Sequence, residues 1–172
     1  TGGTGVMGSR LVRGLVKDGW RCRVLTLPDD PFISRLKGID CEIVYGDITD
    51  ARSLKGAFDN VMTVYHLAAI IIAHNPALFK KINTNGTKNV VEGATSSGVK
   101  HFIYISSISV IYPSSTPYSR SKKECEELVK QQEAMKYTII RPTLVYERNG
   151  GQEFMMFKDY LMKYPVVPFI GR

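Results

Sequence analysis

The sequence predicts a doubly wound α/β fold, in which helices cover both faces of a parallel β-sheet. Two observations lead to this prediction. The 172-residue chain opens with a glycine-rich loop, TGGTGVMG, directly before a helical pattern of apolar residues. Short β-rich runs then alternate with helical stretches as far as residue 142. Such alternation requires crossover connections between parallel strands.

The opening loop carries Gly2, Gly5 and Gly8, followed by an apolar helix that starts at Val6 and Met7. Glycine lets a backbone turn sharply and approach a pyrophosphate closely. The peptide N–H groups that begin the helix would then face the phosphates. A loop of this kind normally follows a buried strand, so we expect a native first strand to be missing from this sequence.

The remaining elements follow in order along the chain. Strands are predicted at residues 23–27, 41–45, 61–67, 101–106 and 137–142, and helices at residues 53–58, 76–97, 118–133 and 152–164. The composition changes near Gly150. We therefore expect one domain over residues 1–149. Residues 150–172 should begin a second substructure that stops before it could form a core of its own.

Composition is that of a soluble globular protein, with 44% hydrophobic and 23% charged residues. No apolar run is long enough to span a bilayer, so no membrane partner is expected. The net charge of +7 comes without a basic cluster interleaved with aromatic residues. This pattern argues against nucleic-acid binding and suits an anionic cofactor or substrate.

Three cysteines, Cys22, Cys41 and Cys125, are far apart and lack the spacing of metal ligands. We interpret them as inert free thiols and expect no metal site. Free thiols also indicate a reducing compartment, so a cytoplasmic location is expected.

Tyr118 and Lys122 lie four positions apart in a predicted helix, which places both side chains on one face. A neighbouring ammonium favours the phenolate, which suits a tyrosine to general acid–base catalysis. Upstream, an apolar strand ends at Ser106 and Ser107. A serine at the carboxyl end of a parallel strand faces the ligand crevice and can hydrogen-bond the reacting oxygen. Alone, these patterns also fit a surface helix pair and a capped turn.

The wider series of motifs favours the catalytic interpretation. The series consists of TGGTGVMG at residues 1–8, GDITD at 46–50, HLAA at 66–69, NTNGT at 83–87, the two serines, the Tyr–Lys pair, and RPT at 141–143. It resembles the extended short-chain dehydrogenases/reductases, the family of NAD(P)-dependent sugar-nucleotide epimerases and dehydratases. The resemblance implies a Rossmann-type cofactor domain over residues 1–149. Residues 150–172 would begin a truncated substrate-binding region.

The resemblance also implies roles for individual residues. Tyr118 would exchange a proton with the substrate oxygen while a hydride moves to or from the nicotinamide. Lys122 would hold the nicotinamide ribose, and Ser107 would orient the substrate oxygen. The implied cofactor-binding residues are Gly2, Gly5, Val6, Met7 and Gly8 at the pyrophosphate, Asp47 and Ile48 at the adenine, Ala68 and Ala69 along the channel, and Tyr118 and Lys122. Asn83 and His66 would be structural, and no metal is implied.

The leading hypothesis is an NAD(P)-dependent oxidoreductase or epimerase acting on a sugar-nucleotide hydroxyl or ketone. Ile108 and Ser109 replace the Asp-Glu pair of family 4,6-dehydratases, so that reaction is disfavoured. Residues 102–108 also resemble the 3β-hydroxysteroid dehydrogenase and dihydroflavonol reductase branch. An NADPH-dependent ketone or aldehyde reductase is therefore an alternative, and a non-catalytic dinucleotide-binding regulator is a second one.

Cofactor choice depends on the end of the second strand, where NAD-specific relatives carry an acid that binds the ribose 2′-OH. Thr26 and Leu27 occupy that place here, and Asp29 and Asp30 come later. The missing acid gives NADP a slight preference over NAD. Arg10 and Arg35 could meet a 2′-phosphate, although both also fit as surface arginines.

The expected partner is a small-molecule substrate. A homodimer is also possible, through helices around residues 79–91 and 124–129 that correspond to the interface pair of relatives.

Overall fold

The structure, a computed structural model, describes residues 1–146, 152–164 and 166. Its helices are α1 (Val6–Lys17), α2 (Gly86–Ser96), α3 (Pro117–Gln131) and α4 (Gln152–Lys163). Its strands are β1 (Cys22–Thr26), β2 (Cys41–Tyr45), β3 (Thr63–His66), β4 (His101–Ile105) and β5 (Lys136–Ile140). This order confirms the predicted α/β alternation.

All the described strand pairs are parallel, as predicted. β1 pairs with β2, with Cys22 opposite Cys41. A second sheet has the order β3-β4-β5, and in it Ile103 lies opposite Tyr65 on one side and Thr138 on the other. The carboxyl ends of β3, β4 and β5 therefore lie along one edge, from which the loops that carry the candidate site begin.

The glycine loop is attached to the same edge. The backbone nitrogen of Thr1 donates to Tyr65 O at 2.9 Å, and Leu67 N donates to Thr1 O at 3.2 Å. The first residue of the loop thus pairs with the end of β3, which places the glycines beside the carboxyl end of that strand.

Two apolar clusters hold the elements together. The larger one joins α2 and α3 to the three-stranded sheet, and Val90, Phe102 and Val129 are fully buried in it. The smaller one packs Val12 of α1 against Val24 of β1. Burial of these side chains is the main free-energy term that fixes the helices on the sheets.

The long helix predicted for residues 76–97 differs from the observed structure. Phe79–Asn85 is a π-helix, and the ordinary α-helix α2 continues from it at Gly86. A π-turn accommodates one extra residue, and such turns occur frequently at functional sites. Here the buried Asn83 lies within the turn.

Two other predicted helices and the predicted domain boundary can also be compared with the structure. The short helix predicted at residues 53–58 is a 3₁₀ turn at Ala51–Leu54, capped by the Asp50 side chain. The helix predicted at residues 152–164 is present as α4. Residues 147–151, 165 and 167–172 lie outside the described part, so the domain boundary at residue 150 stays a prediction. Among the described helices, none combines the length and apolarity needed to cross a bilayer.

Candidate functional site

The glycine loop coils too tightly for other residues. Gly2 has a φ of +68°, and a Cβ there would lie 2.6 Å from the Ala68 nitrogen. A Cβ on Gly8 would collide with the Gly2 carbonyl oxygen. Gly5 N donates to that same oxygen at 3.1 Å. Side chains would therefore force the loop apart, both against β3 and against the first turn of α1.

The start of α1 forms a cradle for an anion. Gly5 is the N-cap, and it has no side chain to cap the helix, so the N–H groups of Val6 and Met7 point out of the first turn. A Cβ on Gly5 would have only Gly2 O, at 3.3 Å, in its vicinity, so it would project into the cradle. Free N–H groups and a positive helix end fit a pyrophosphate.

The residues predicted to meet the adenine lie in the loop after β2. Asp47 is exposed, and its Oδ1 accepts a hydrogen bond from Thr49 N at 2.7 Å. Ile48 packs against Gly86, where a Cβ would come within 2.7 Å of its Cδ1. Asn89 Nδ2 also donates to Ile48 O at 2.8 Å. Helix α2 thus holds Ile48 in place beside a solvent-facing Asp47.

Ala68 and Ala69 lie in the loop after β3, one residue beyond its end, and are partly exposed. Ala68 N donates to Thr1 Oγ1 at 3.3 Å, and its backbone touches Gly2. The small Ala68 therefore lies directly against the glycine loop. Larger side chains at this position would narrow the space beside the loop.

His66, the last residue of β3, is completely buried. Its Nδ1 lies 2.7 Å from Thr1 Oγ1, and its Nε2 lies 2.9 Å from Thr87 Oγ1. Burial lowers the pKa of the imidazole well below its usual value, and nearby positive charge, including that of Lys122, lowers it further. A neutral ring with both nitrogens occupied is a structural link between β3, α2 and the loop.

Tyr118 lies in the first turn of α3. Thr116 and Ser119 form a reciprocal cap, and Pro117 is the first helical residue. The Tyr118 side chain is half-buried, with its ring edge-on to Phe79 at 6.2 Å between centroids. The cap fixes the start of the helix, and the ring contact with Phe79 helps to hold the Tyr118 side chain in place.

Lys122 lies one turn later and is only 2% exposed. Its Nζ donates to Ile105 O at 2.6 Å and lies 4.4 Å from the centre of the Tyr104 ring. Burial lowers the pKa of the ammonium to about 8. The Ile105 carbonyl and the Tyr104 ring face stabilise the cation, and two of its three N–H protons remain for other acceptors.

Ser106 and Ser107 follow β4 at the same edge. Ser107 is the N-cap of a 3₁₀ turn at Ile108–Ile111, and its Oγ lies 2.9 Å from Ser109 Oγ. Ser106 is buried, and its backbone N–H donates to Ile140 O at 2.7 Å. Ser107 is thus the serine with a partly exposed hydroxyl, and that hydroxyl also serves as a cap.

The structure also shows a buried acid that was not singled out from the sequence. Glu126 is 1% exposed and accepts hydrogen bonds from Arg141 Nε at 2.8 Å and Nη2 at 2.6 Å. Burial raises the pKa of its carboxyl, but the contacts with Arg141 and the nearby Ser106 hydroxyl outweigh burial and lower it overall. The signal was present in the sequence, because Glu126 follows Tyr118 and Lys122 at the same helical spacing.

Asn83 joins three parts of the site. Its Oδ1 accepts from Ile70 N at 2.9 Å, while its Nδ2 donates to Ile70 O and to Ser121 Oγ, each at 3.0 Å. Ser121 Oγ in turn donates to Tyr118 O at 2.7 Å. The π-turn, the loop after β3 and the first turn of α3 are therefore connected through one buried amide.

This arrangement suits proton transfer next to a bound dinucleotide. The half-buried Tyr118 phenol and the buried Lys122 ammonium lie on one face of α3, near the sheet edge to which the glycine loop is attached. In the described part of the chain, no group of three or more His, Cys, Asp or Glu side chains could hold a metal ion.

Comparisons with known proteins agree with this geometry. Residues 1–117 match the model of the 3-beta hydroxysteroid dehydrogenase/isomerase family. The ceramide reductase of Caulobacter vibrioides is 31% identical over 172 residues, which cover 100% of this chain and 53% of that protein.

Two solved structures are similar at 81% coverage of this chain. One is a short-chain dehydrogenase/reductase superfamily protein from Agrobacterium tumefaciens with bound NAD, with a TM-score of 0.69, 27% identity and 47% of its chain covered. The other is epimerase Mth375 from Methanothermobacter thermautotrophicus, with a TM-score of 0.73, 28% identity and 49% of its chain covered.

This chain spans about half the length of these relatives. The family match covers more than half of the chain, and it agrees with the motifs and the parallel α/β fold. The chain therefore belongs to the 3-beta hydroxysteroid dehydrogenase/isomerase family, which confirms its resemblance to the extended short-chain dehydrogenases/reductases.

Proposed function

We propose that this chain carries the cofactor and proton-transfer half of an NAD(P)-dependent oxidoreductase that interconverts a hydroxyl and a ketone on a largely apolar substrate. The observation that carries the proposal is the buried Lys122 ammonium, one turn from the half-buried Tyr118 at the sheet edge beside the glycine loop. A buried cation is expensive to maintain, and its position one helical turn from Tyr118 favours a catalytic role over a structural one.

The apolar character of the substrate is supported by the relationship of the chain to a ceramide reductase and to hydroxysteroid dehydrogenases. We therefore favour the ketone or aldehyde reductase alternative over the sugar-nucleotide hypothesis.

The glycine loop and the start of α1 would hold NAD(P), which would supply or accept the hydride when bound. Tyr118 holds the proton that the substrate oxygen gains on reduction and takes it back on oxidation. The Lys122 ammonium stabilises negative charge on the phenol oxygen and has two protons available for the ribose hydroxyls. Ser107 donates a hydrogen bond that orients the substrate oxygen.

Sugar-nucleotide epimerisation is the second candidate, supported by the similarity to an epimerase of 28% identity. Both reactions need the same tyrosine, lysine and serine. They differ in the cofactor balance, because an epimerase regenerates its cofactor within each cycle whereas a reductase consumes it. The predicted homodimer and cytoplasmic location stay predictions.

The test is to incubate the protein with NADH or NADPH and panels of steroid ketones, ketosphingoid lipids and sugar nucleotides. Net loss of reduced nicotinamide with an apolar ketone is expected. Tyr118→Phe should lower that turnover by about a hundredfold or more while cofactor binding is retained. Turnover of a sugar nucleotide without net cofactor change would favour the epimerase. Unchanged turnover in Tyr118→Phe would contradict the proposed mechanism.

A further inference from the structure

Two of the three cysteines lie opposite each other on neighbouring strands. Cys22 is the first residue of β1 and Cys41 is the first residue of β2, and the two are direct partners in the parallel register. Both side chains pack against the same apolar cluster, which consists of Val12, Val24 and Leu36. The two thiols therefore lie on the same face of the sheet, the face that α1 covers.

Both thiols are also within reach of solvent. Cys22 and Cys41 are free and partly exposed, whereas Cys125 is buried. Partial burial raises the pKa of both thiols, and the charge of a Cys41 thiolate raises the pKa of Cys22 further. This mutual effect agrees with two sulfur atoms that lie close together. The pair is at the amino ends of the strands, at the opposite end of the sheet from the candidate active site.

The spacing of the strands favours an atom that bridges the two sulfurs over a direct disulfide. Neighbouring strands lie about 4.8 Å apart, and the Cβ atoms of residues paired on one face keep about that separation. A disulfide brings its Cβ atoms to about 3.8 Å, so it would pull the strands together. Two metal–thiolate bonds of about 2.3 Å each span about 4.6 Å when they are collinear. Two parallel thiolates therefore match linear coordination of one ion without movement of the strands.

The number of ligands limits which ion fits. Thiolates bind Cu(I), zinc and iron–sulfur clusters. Structural zinc sites and iron–sulfur clusters use four protein ligands. In the part of the chain that the structure describes, no group of three or more His, Cys, Asp or Glu side chains could hold a metal. Cu(I), which accepts two thiolates in a linear arrangement, is the ion that suits this pair.

We propose that Cys22 and Cys41 form a binding site for one soft monovalent cation, Cu(I), at the amino ends of β1 and β2. On binding, both S–H bonds break, two copper–sulfur bonds form, and both protons pass to the solvent. Copper stays in the +1 state, so no oxidant or reductant is consumed. Cys22 and Cys41 are thus not the inert thiols expected from the sequence, whereas the buried Cys125 fits that expectation. The site is separate from the cofactor site and does not depend on the proposed function.

The experiment titrates the protein with Cu(I) under anaerobic conditions, in competition with a chromogenic Cu(I) chelator. We expect the wild type to bind one Cu(I) that needs both sulfurs. Cys22→Ser and Cys41→Ser should each weaken this binding by about a hundredfold or more, because the second thiolate of a pair binds intramolecularly. Cys125→Ser is the matched control and should bind Cu(I) like the wild type. Serine keeps a donor for Asn83 O, to which the Cys125 thiol donates at 3.3 Å.

Alkylation of the wild type tests the same site without any substitution. Cu(I) should protect Cys22 and Cys41 together from iodoacetamide, as measured by mass spectrometry of the labelled peptides. Protection of neither thiol, or of only one, would overturn the inference. Unchanged Cu(I) affinity in Cys22→Ser or Cys41→Ser, or an equal loss in Cys125→Ser, would overturn it as well. All of these outcomes leave the proposed function as it stands, because none of them involves the cofactor or the substrate.

Discussion

Glu126 and Arg141 form a two-point ion pair between α3 and the end of β5. The carboxylate is buried, while the Arg141 side chain is 40% exposed. Glu126 lies one helical turn after Lys122, so the pair fixes to the sheet the same helix that carries the candidate proton donor. A bidentate, charge-assisted contact also sets the orientation of that helix.

We expect Glu126→Gln to lower the free energy of unfolding by about 2 kcal/mol, because a charge-assisted contact is lost and the guanidinium loses its counter-ion. Urea denaturation measures this change. Glu127→Gln is the matched control, since Glu127 is 53% exposed and pairs with Lys130 at 2.8 Å on the surface. Surface pairs contribute little. Equal effects of the two variants would show that the buried pair has no special role.

The buried Lys122 should make stability depend on pH. Its folded-state pKa of about 8 is below the usual 10.5. Below pH 8 the lysine is charged in both the folded and the unfolded state, and the full burial penalty is present. As pH rises from 8 toward 10.5, the folded protein releases the proton and the penalty disappears.

We therefore expect the unfolding free energy of the wild type to rise, relative to Lys122→Met, by on the order of 2 kcal/mol between pH 8 and 9.5. Denaturant titrations at a series of pH values measure the difference. Lys123→Met serves as the control, because Lys123 is the exposed neighbour on the same helix. A pH-independent difference between the wild type and Lys122→Met would mean that the ammonium is not destabilised by burial.

Asn83→Asp should weaken the link between the π-turn, the loop after β3 and α3. Aspartate keeps the acceptor for Ile70 N but cannot donate to Ile70 O or Ser121 Oγ, and it buries a charge. The expected loss of stability is about 2 kcal/mol or more. Faster hydrogen exchange at Ile70 is expected as well. The exposed Asn85→Asp should change neither property.

The predictability of the fold differs between its elements. The strand at Cys41–Tyr45 has its predicted bounds, because an apolar β-rich run is a local signal, and α3 begins one residue before its predicted start. The π-turn at Phe79–Asn85 was not predicted. Its apolar pattern continues that of an ordinary helix, and the contacts of Asn83 that accompany the extra residue come from distant parts of the chain.

The residues of the candidate site also differ in how well the sequence alone predicts them. Gly2, Gly8 and the Tyr118–Lys122 pair are visible from residue type and spacing alone. The contact of Asp30 with the glycine loop was not visible, because it depends on a turn that brings Asp30 to Thr4, 26 residues away in the sequence. Glu126 had the correct spacing, but a glutamate on a helix is usually exposed, and its burial depends on Arg141.

Two glycines of α1 allow a test in which the same substitution, glycine to alanine, is expected to have opposite effects on stability. Gly14 lies in the middle of α1, is exposed, and has no atom within 4 Å of an added Cβ. Gly14→Ala should therefore raise the free energy of unfolding by about 1 kcal/mol through helix propensity. An added Cβ at Gly8 would instead collide with Gly2 O and come within 2.7 Å of the Gly3 Cα.

Since the loop must open to relieve that collision, Gly8→Ala should lower stability and abolish detectable NADH binding, whereas Gly14→Ala should bind NADH like the wild type. Thermal denaturation and calorimetry on both variants measure the two effects. If Gly8→Ala is destabilised yet binds NADH normally, the loop does not hold the pyrophosphate. If it is neither destabilised nor impaired in binding, the close packing of Gly8 against Gly2 is not required at all.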